Sequence, residues 1–265
     1  GPGGFRVAGP GFFASGWIHS SALHGGCKGF DGDKPRLRPN GDQEIRMAYF
    51  YPKSIAKIID TWDVSGLRGT GSHDIEVNDL FVPDERTFSA LDLRSRVTGP
   101  MNRMHGFDLA GCGFCCVGLG VARAAIDAFV ELATTKIPRS SSDLLRERVM
   151  VQAQVGEAEA LLRAGRALLF DVVEEMWELA KAREPISERL RSDLRLAMTH
   201  AAQCAARATH MVCVCAGTTS IFASSPLERF ARDAEVVTRH NQLQFVNYEA
   251  AGRTLMGLES NSPLF

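Results

Sequence analysis

The sequence predicts an α+β fold: a β domain over residues 1–105, then a C-terminal α-helical bundle domain over residues 106–265. Two observations predict it. Up to about residue 105, short strand-like segments alternate with turns rich in Gly, Pro and Asp, whereas after Asp108 the chain becomes helical and stays so. Composition supports a folded interior, because 45% of the 265 residues are hydrophobic and only 23% are charged.

The elements follow in order. GGFRVAG, ALHGGCKGF and EIRMAYFYP read as strands separated by breakers. HDIEVNDLFVP places Ile75 and Val77 on one face, then Leu80 and Val82, which requires a bulge or turn at Asn78-Asp79. Four helices follow, over 108–135, 143–183, 187–216 and 226–257. Asp143 is the expected N-cap of the second and Ser187 marks the start of the third. Gly217 stops the third helix, and Pro226 sits in the first turn of the fourth.

A formal net charge of −1 gives no basic surface for a nucleic acid or an anionic membrane. No unbroken run of eighteen apolar residues predicts a membrane span, and no signal-peptide pattern opens the chain. Seven cysteines, an odd number lying mostly in apolar segments, fit reduced thiols in a cytoplasmic protein. Cys112-x-x-Cys115 invites a metal or redox reading, but no second pair has zinc-like spacing, so small helix-packing residues are the better account.

The densest local pattern is TWDVSGLRGTGSHDIEVNDLFVP, residues 61–83. Gly66, Gly69 and Gly71 do not form a phosphate loop, because the Gly-Lys-Ser/Thr ending is missing and a strand follows. Ser72-His73-Asp74 cannot form a catalytic triad, since neighbouring strand side chains face opposite ways.

Three distant stretches, read together, give a larger pattern: FFASGWIHSSALHGGC at 12–27, WDVSGLRGTGSHDIEVNDLFVP at 62–83 and SSPLERFARDAEVVTRH at 224–240. In that order they resemble the acyl-CoA dehydrogenase superfamily, with its Gly-x-Arg-Gly-Thr-x-Ser-x-Asp strand and its Pro-Leu-x-Arg-x-x-Arg-Asp helix. The resemblance spans essentially the whole chain. It implies an acyl-CoA dehydrogenase-like central β domain followed by the C-terminal four-helix bundle. Superfamily members carry a helical domain before the β domain. The expectation is therefore a fragment, or a partner chain that supplies the N-terminal helices.

Within the superfamily, the position where dehydrogenases carry a carboxylate base falls at Arg239-His240-Asn241. The run Phe13-Ala14-Ser15-Gly16 and the His240 after the Arg-Asp helix instead resemble the flavin-dependent two-component monooxygenases, the branch of p-hydroxyphenylacetate hydroxylase oxygenases and dibenzothiophene monooxygenases. The resemblance implies reduced FMN or FAD delivered by a separate flavin reductase, and oxygenation of an aromatic or polycyclic small molecule through a C4a-hydroperoxyflavin. It implies catalytic roles for Ser15, through its hydroxyl, and His240, as a hydrogen-bonding group or a proton acceptor from a phenol. The plain alternatives are a turn-forming serine and a solvated helix histidine.

The same resemblance implies cofactor contacts from Phe13, Ala14, Ser15, Gly16, Trp62 and Asn241. Arg139 and Ser140, in a loop before a helix N-terminus, are phosphate contacts or part of a solvated loop, and Gly217 and Thr219, before the fourth helix, are candidates for the same contact with a neighbouring subunit's cofactor. Arg232 is a phosphate ligand or an ordinary ion pair with Glu228 or Asp233. Trp62 packs on the cofactor or in the core. His105 is a weak substrate-pocket candidate. A homotetramer is expected, with the Ala- and Cys-rich third helix packing between subunits. The rival functions are an acyl-CoA dehydrogenase-like FAD desaturase and a non-catalytic helical subunit.

Overall fold

The computed structural model of the protein describes residues 3–51, 56–89, 97–104, 106–139 and 141–260. The chain divides into two compact units, Gly1–Val64 with Arg68–Arg96, and Ser65–Leu67 with Val97–Phe265.

Among the described residues, the first unit has eight strands: β1 (Gly4–Gly11), β2 (Leu23–Lys28), β3 (Phe30–Asp31), β4 (Lys34–Pro35), β5 (Ile45–Phe50), β6 (Ala56–Ile59), β7 (Asp74–Pro83) and β8 (Thr87–Ser89). They form two three-stranded antiparallel sheets, ordered β1-β7-β6 and β2-β5-β8, and the small β3-β4 hairpin. The bulge expected in β7 is present. Val7 pairs with Leu80 and Gly9 with Val77, so Asn78 and Asp79 together face Ala8. Asp79 absorbs the extra residue at φ 46°, and Arg6 holds its carboxylate at 2.8 Å. The bulge keeps Ile75, Val77 and Val82 buried in one strand despite the change of parity. They join Trp17, Leu23, Ala48 and Phe50 in the core of this unit.

Among the described residues, the second unit has five α-helices: α1 (Gly106–Ala133), α2 (Val149–Ala182), α3 (Glu188–Ala216), α4 (Pro226–Val237) and α5 (Val246–Leu255). The expected fourth helix is thus two helices, interrupted by the short 3-10 turn Asn241–Leu243. The expected start of α2 also moves. Arg148, not Asp143, is its N-cap, because Leu145–Glu147 first forms its own 3-10 turn. Ser187 caps α3 by accepting from the Leu190 amide, and Gly217 ends it at φ 58°.

α3 lies at the centre of the bundle, packed against α1, α2, α4 and α5, with more than half of its residues buried. At its crossing with α2, a β-carbon placed on Gly165 would sit 3.0 Å from Ala201 Cα and 3.1 Å from Cys204 Cβ. The small residues Ala201, Ala202, Cys204 and Ala205 are therefore used inside the chain. They do not supply the intersubunit surface expected from the sequence.

α1 is, among the described helices, the one long and apolar enough to cross a membrane by length and composition, although no unbroken apolar run exists. Its residues Cys115, Leu119, Ala122, Ile126 and Phe129 are buried in the bundle core, the position of an interior helix.

Candidate active site

In the β unit, Phe13–Gly16 is a compact turn pinned to the segment before β7. The Ala14 amide donates to the His73 carbonyl at 3.0 Å and the Gly16 amide to the Thr70 carbonyl at 2.9 Å. Phe13 has φ 57° and Gly16 φ 74°, so a bulky residue is held in a conformation that side chains normally avoid. The Ser15 hydroxyl lies 2.7 Å from the Ser72 hydroxyl, which lies 2.8 Å from that of Thr70. Ser72 is 3% exposed, whereas Ser15 is exposed, so a chain of hydroxyls runs from the interior to the surface at Ser15.

The aromatic rings beside this turn are accessible. Phe13 is 71% exposed and meets Trp62 edge-on at 5.9 Å between ring centroids. Trp62 is half-buried and does not enter the core, where the tryptophan is Trp17. An exposed hydroxyl beside two accessible aromatic rings matches the surface of a flavin, a flat apolar ring system edged with hydrogen-bonding atoms.

His73, unsupported by any motif, also has a place here. Its Nδ1 accepts the Trp62 amide at 3.2 Å and lies 3.1 Å from the Asp60 carboxylate. Ser72, His73 and Asp74 do not act as a triad.

In the helical unit, His240 stands at the break between α4 and α5, as N-cap of the 3-10 turn, and not on a solvated helix face. Its Nδ1 accepts the Gln242 amide at 3.3 Å, and its ring lies on Phe114 of α1, with centroids 3.9 Å apart. Burial pushes the imidazole below its ordinary value of 6.5, so the ring is neutral near pH 7. Asn241 beside it is exposed. Gln242 is 3% exposed, and its side-chain Nε2 donates to the Phe107 carbonyl at 2.7 Å.

Arg232 forms the ion pair with Glu228, one of the two roles expected of it. Its guanidinium makes a two-pronged contact with Glu228, with Nη2 to Oε2 at 2.8 Å, and also donates to the Ser65 carbonyl. The pairing lowers the Glu228 carboxyl below its usual range, chiefly through the hydrogen bond from Arg232. Asp233 accepts the Leu67 amide at 2.6 Å. The Arg-Asp motif thus grips Ser65-Gly66-Leu67, the start of the other long motif.

Thr219 is engaged by Lys136, whose Nζ lies 2.6 Å from its hydroxyl and also caps the Ala216 carbonyl at the end of α3. Lys136 therefore joins the loop carrying the exposed Arg139 to the Gly217–Ile221 turn. Ser140 and His105 lie outside the described residues. Sequence reasoning missed Ser72, Phe114, Lys136 and Gln242. Only Ser72 lies inside a motif, and the others are identified by tertiary contact alone.

All seven cysteines are free thiols. Cys112 and Cys115 pack on Met198, with Cys115 Sγ donating to its carbonyl at 3.4 Å. Burial pushes them up to about 11 and about 12, so both are inert packing residues in α1.

The antiparallel β unit followed by a helical unit with a central small-residue helix defines an acyl-CoA dehydrogenase-like fold. A solved 3-HSA hydroxylase from Rhodococcus sp. RHA1 superposes on all of this chain and 68% of its own, with a TM-score of 0.87 at 25% identity. The family profile for the acyl-CoA dehydrogenase C-terminal domain matches residues 112–245, and the chain belongs to that family. Among named relatives, indole-3-acetate monooxygenase of Pseudomonas putida is 35% identical over 96% of this chain and 63% of its own length. The oxygenase component of FADH(2)-dependent resorcinol hydroxylase from Rhizobium sp. is 28% identical over 97% of this chain and 65% of its own. The chain spans a little under two thirds of the length of these curated relatives.

Proposed function

We propose that this chain is the flavin- and oxygen-handling part of a two-component monooxygenase oxygenase. It receives reduced FAD or FMN from a separate reductase and oxygenates an aromatic small molecule. Reduced flavin, when bound, supplies the two electrons with which one atom of O2 enters the substrate while the other leaves as water. The observation that carries the reading is the Phe13–Gly16 turn, where a strained backbone, an exposed hydroxyl and two accessible rings meet. Relatives named as monooxygenases and hydroxylase oxygenase components support it. The dehydrogenase base position holds Arg239-His240-Asn241, with no carboxylate.

In this reading Phe13 and Trp62 of the β unit meet the flavin ring and Ser15 offers its hydroxyl to a ring edge. In the helical unit, Asn241 is a cofactor contact and His240 hydrogen-bonds an oxygen-bearing group. Arg139, Lys136, Gly217 and Thr219 form a phosphate-facing edge of the helical unit. The exposed apolar residues Ile221, Phe222, Phe245 and Val246 are the surface from which a homotetramer would be built.

The test supplies the protein with a flavin reductase, NADH, FAD and indole-3-acetate as probe, and follows product and hydrogen peroxide. Ser15→Ala is expected to raise the ratio of peroxide to product several-fold while the protein stays folded. An unchanged ratio removes Ser15 from the chemistry.

A further inference from the structure

We propose that Gln242 is a positioning residue that holds His240 in the tautomer bearing its proton on Nε2, so that His240 serves as a hydrogen-bond donor and not as a base. The proposal rests on the oxygenase reading above.

Two contacts, made by the main chain and the side chain of one residue, carry it. The Gln242 amide donates to His240 Nδ1 at 3.3 Å, and a ring nitrogen that accepts an N–H carries no proton of its own. In a neutral imidazole the proton then sits on Nε2. The Gln242 side chain is almost wholly buried and donates to the Phe107 carbonyl at 2.7 Å, tying the Asn241–Leu243 turn to α1. Phe114, about two turns further along the same face of α1, covers the imidazole. The ring is thus held between α1 and the turn, and its Nδ1 lone pair is already engaged.

A base must accept a proton on a nitrogen with a lone pair. In this arrangement only Nδ1 has one, and protonating it breaks the contact with Gln242. His240 Nε2–H is left to donate to an acceptor oxygen, such as the phenolate, carbonyl or carboxylate oxygen of an aromatic substrate. No proton changes owner in this role.

The test reads the tautomer first, without turnover. The protein is labelled with imidazole 15N-histidine and the His240 signals are assigned by their loss in His240→Asn. The expected spectrum at neutral pH has a pyrrole-type signal for Nε2 and a pyridine-type signal for Nδ1. A pyrrole-type Nδ1, or averaged signals, overturns the proposal. Gln242→Met, which keeps volume but loses the Phe107 contact, is expected to move both signals toward the averaged position. If they stay in place, Gln242 does not position His240.

Turnover then separates donor from base. Glutamine retains an N–H donor and no base, so His240→Gln is expected to keep at least about a tenth of the product rate, while His240→Leu falls about a hundredfold or more. If both variants fall equally, the donor role is wrong. If the wild-type protein makes no product in the reductase assay, the oxygenase reading fails, while the spectrum still decides the tautomer.

Discussion

The amide of Leu67 donates to the carboxylate of Asp233 at 2.6 Å, across 166 positions of chain. The neighbouring Arg232 donates to the Ser65 carbonyl, and a β-carbon on Gly66 would meet the Arg232 carbonyl carbon at 2.6 Å. Two motifs that look unrelated in sequence are therefore halves of one clamp. Leu67 adopts φ 52° within it, and this strain persists because the clamp over-determines it.

Gly66→Ala is expected to destabilise the protein by about 1–3 kcal/mol, because the clash is with backbone that cannot rotate away. Asp233→Ala should cost a similar amount, about 1.5–3 kcal/mol for a hydrogen bond to a charged group, and Asp233→Asn clearly less. Urea unfolding measures both. A Gly66→Ala protein as stable as wild type means that the two segments are not in contact.

Asp108 and Arg195 form an ion pair at 3.0 Å with both side chains almost fully buried. Removing either side chain takes this contact away from a charge that stays buried, so Asp108→Ala and Arg195→Ala should each cost about 3–5 kcal/mol. The double replacement Asp108→Leu with Arg195→Met should be far less damaging than the sum of the two. Additive losses in a double-mutant cycle contradict a coupled pair.

Ser72→Ala removes the centre of the hydroxyl chain from Thr70 to Ser15. The expected cost is about 1–3 kcal/mol, from two hydrogen bonds in a partly buried site. Peroxide release should also rise, as for Ser15→Ala, because Ser15 loses its fixed partner. Stability loss without a change in peroxide release confines Ser72 to a structural role.

His240 is pushed below its ordinary 6.5 by burial. Between that lowered value and 6.5 the unfolded chain binds more protons than the folded one, so stability falls as pH drops through this window and is level above it. His240→Asn removes this component. Its loss of melting temperature between about pH 8 and about pH 5 should be smaller than that of the wild type. Equal losses would mean that the ring titrates normally.

Much of this was legible in the sequence, and for identifiable reasons. The β7 bulge was legible because Ile75, Val77 and Val82 cannot share a face without it, and the Ser187 cap because a hydroxyl precedes an acidic first turn. The break at Thr238–Phe245 was not, since TRHNQLQF contains no Gly or Pro. It is held by the Gln242 contact with Phe107 and by the packing of Leu243, both tertiary. For Arg232 the sequence offers both a phosphate and an ion pair with Glu228 or Asp233, and only the fold shows that Glu228, four residues back, is its partner. Lys136 was invisible for the same reason, its partners being 80 and 83 positions away.

The most direct test of the central claim is anaerobic titration of the purified protein with FAD and FMN in both redox states. The account predicts that reduced flavin binds clearly more tightly than oxidised flavin, and that Phe13→Ala and Trp62→Ala weaken the reduced form. Tight binding of oxidised FAD that bleaches on adding an acyl-CoA thioester would contradict it.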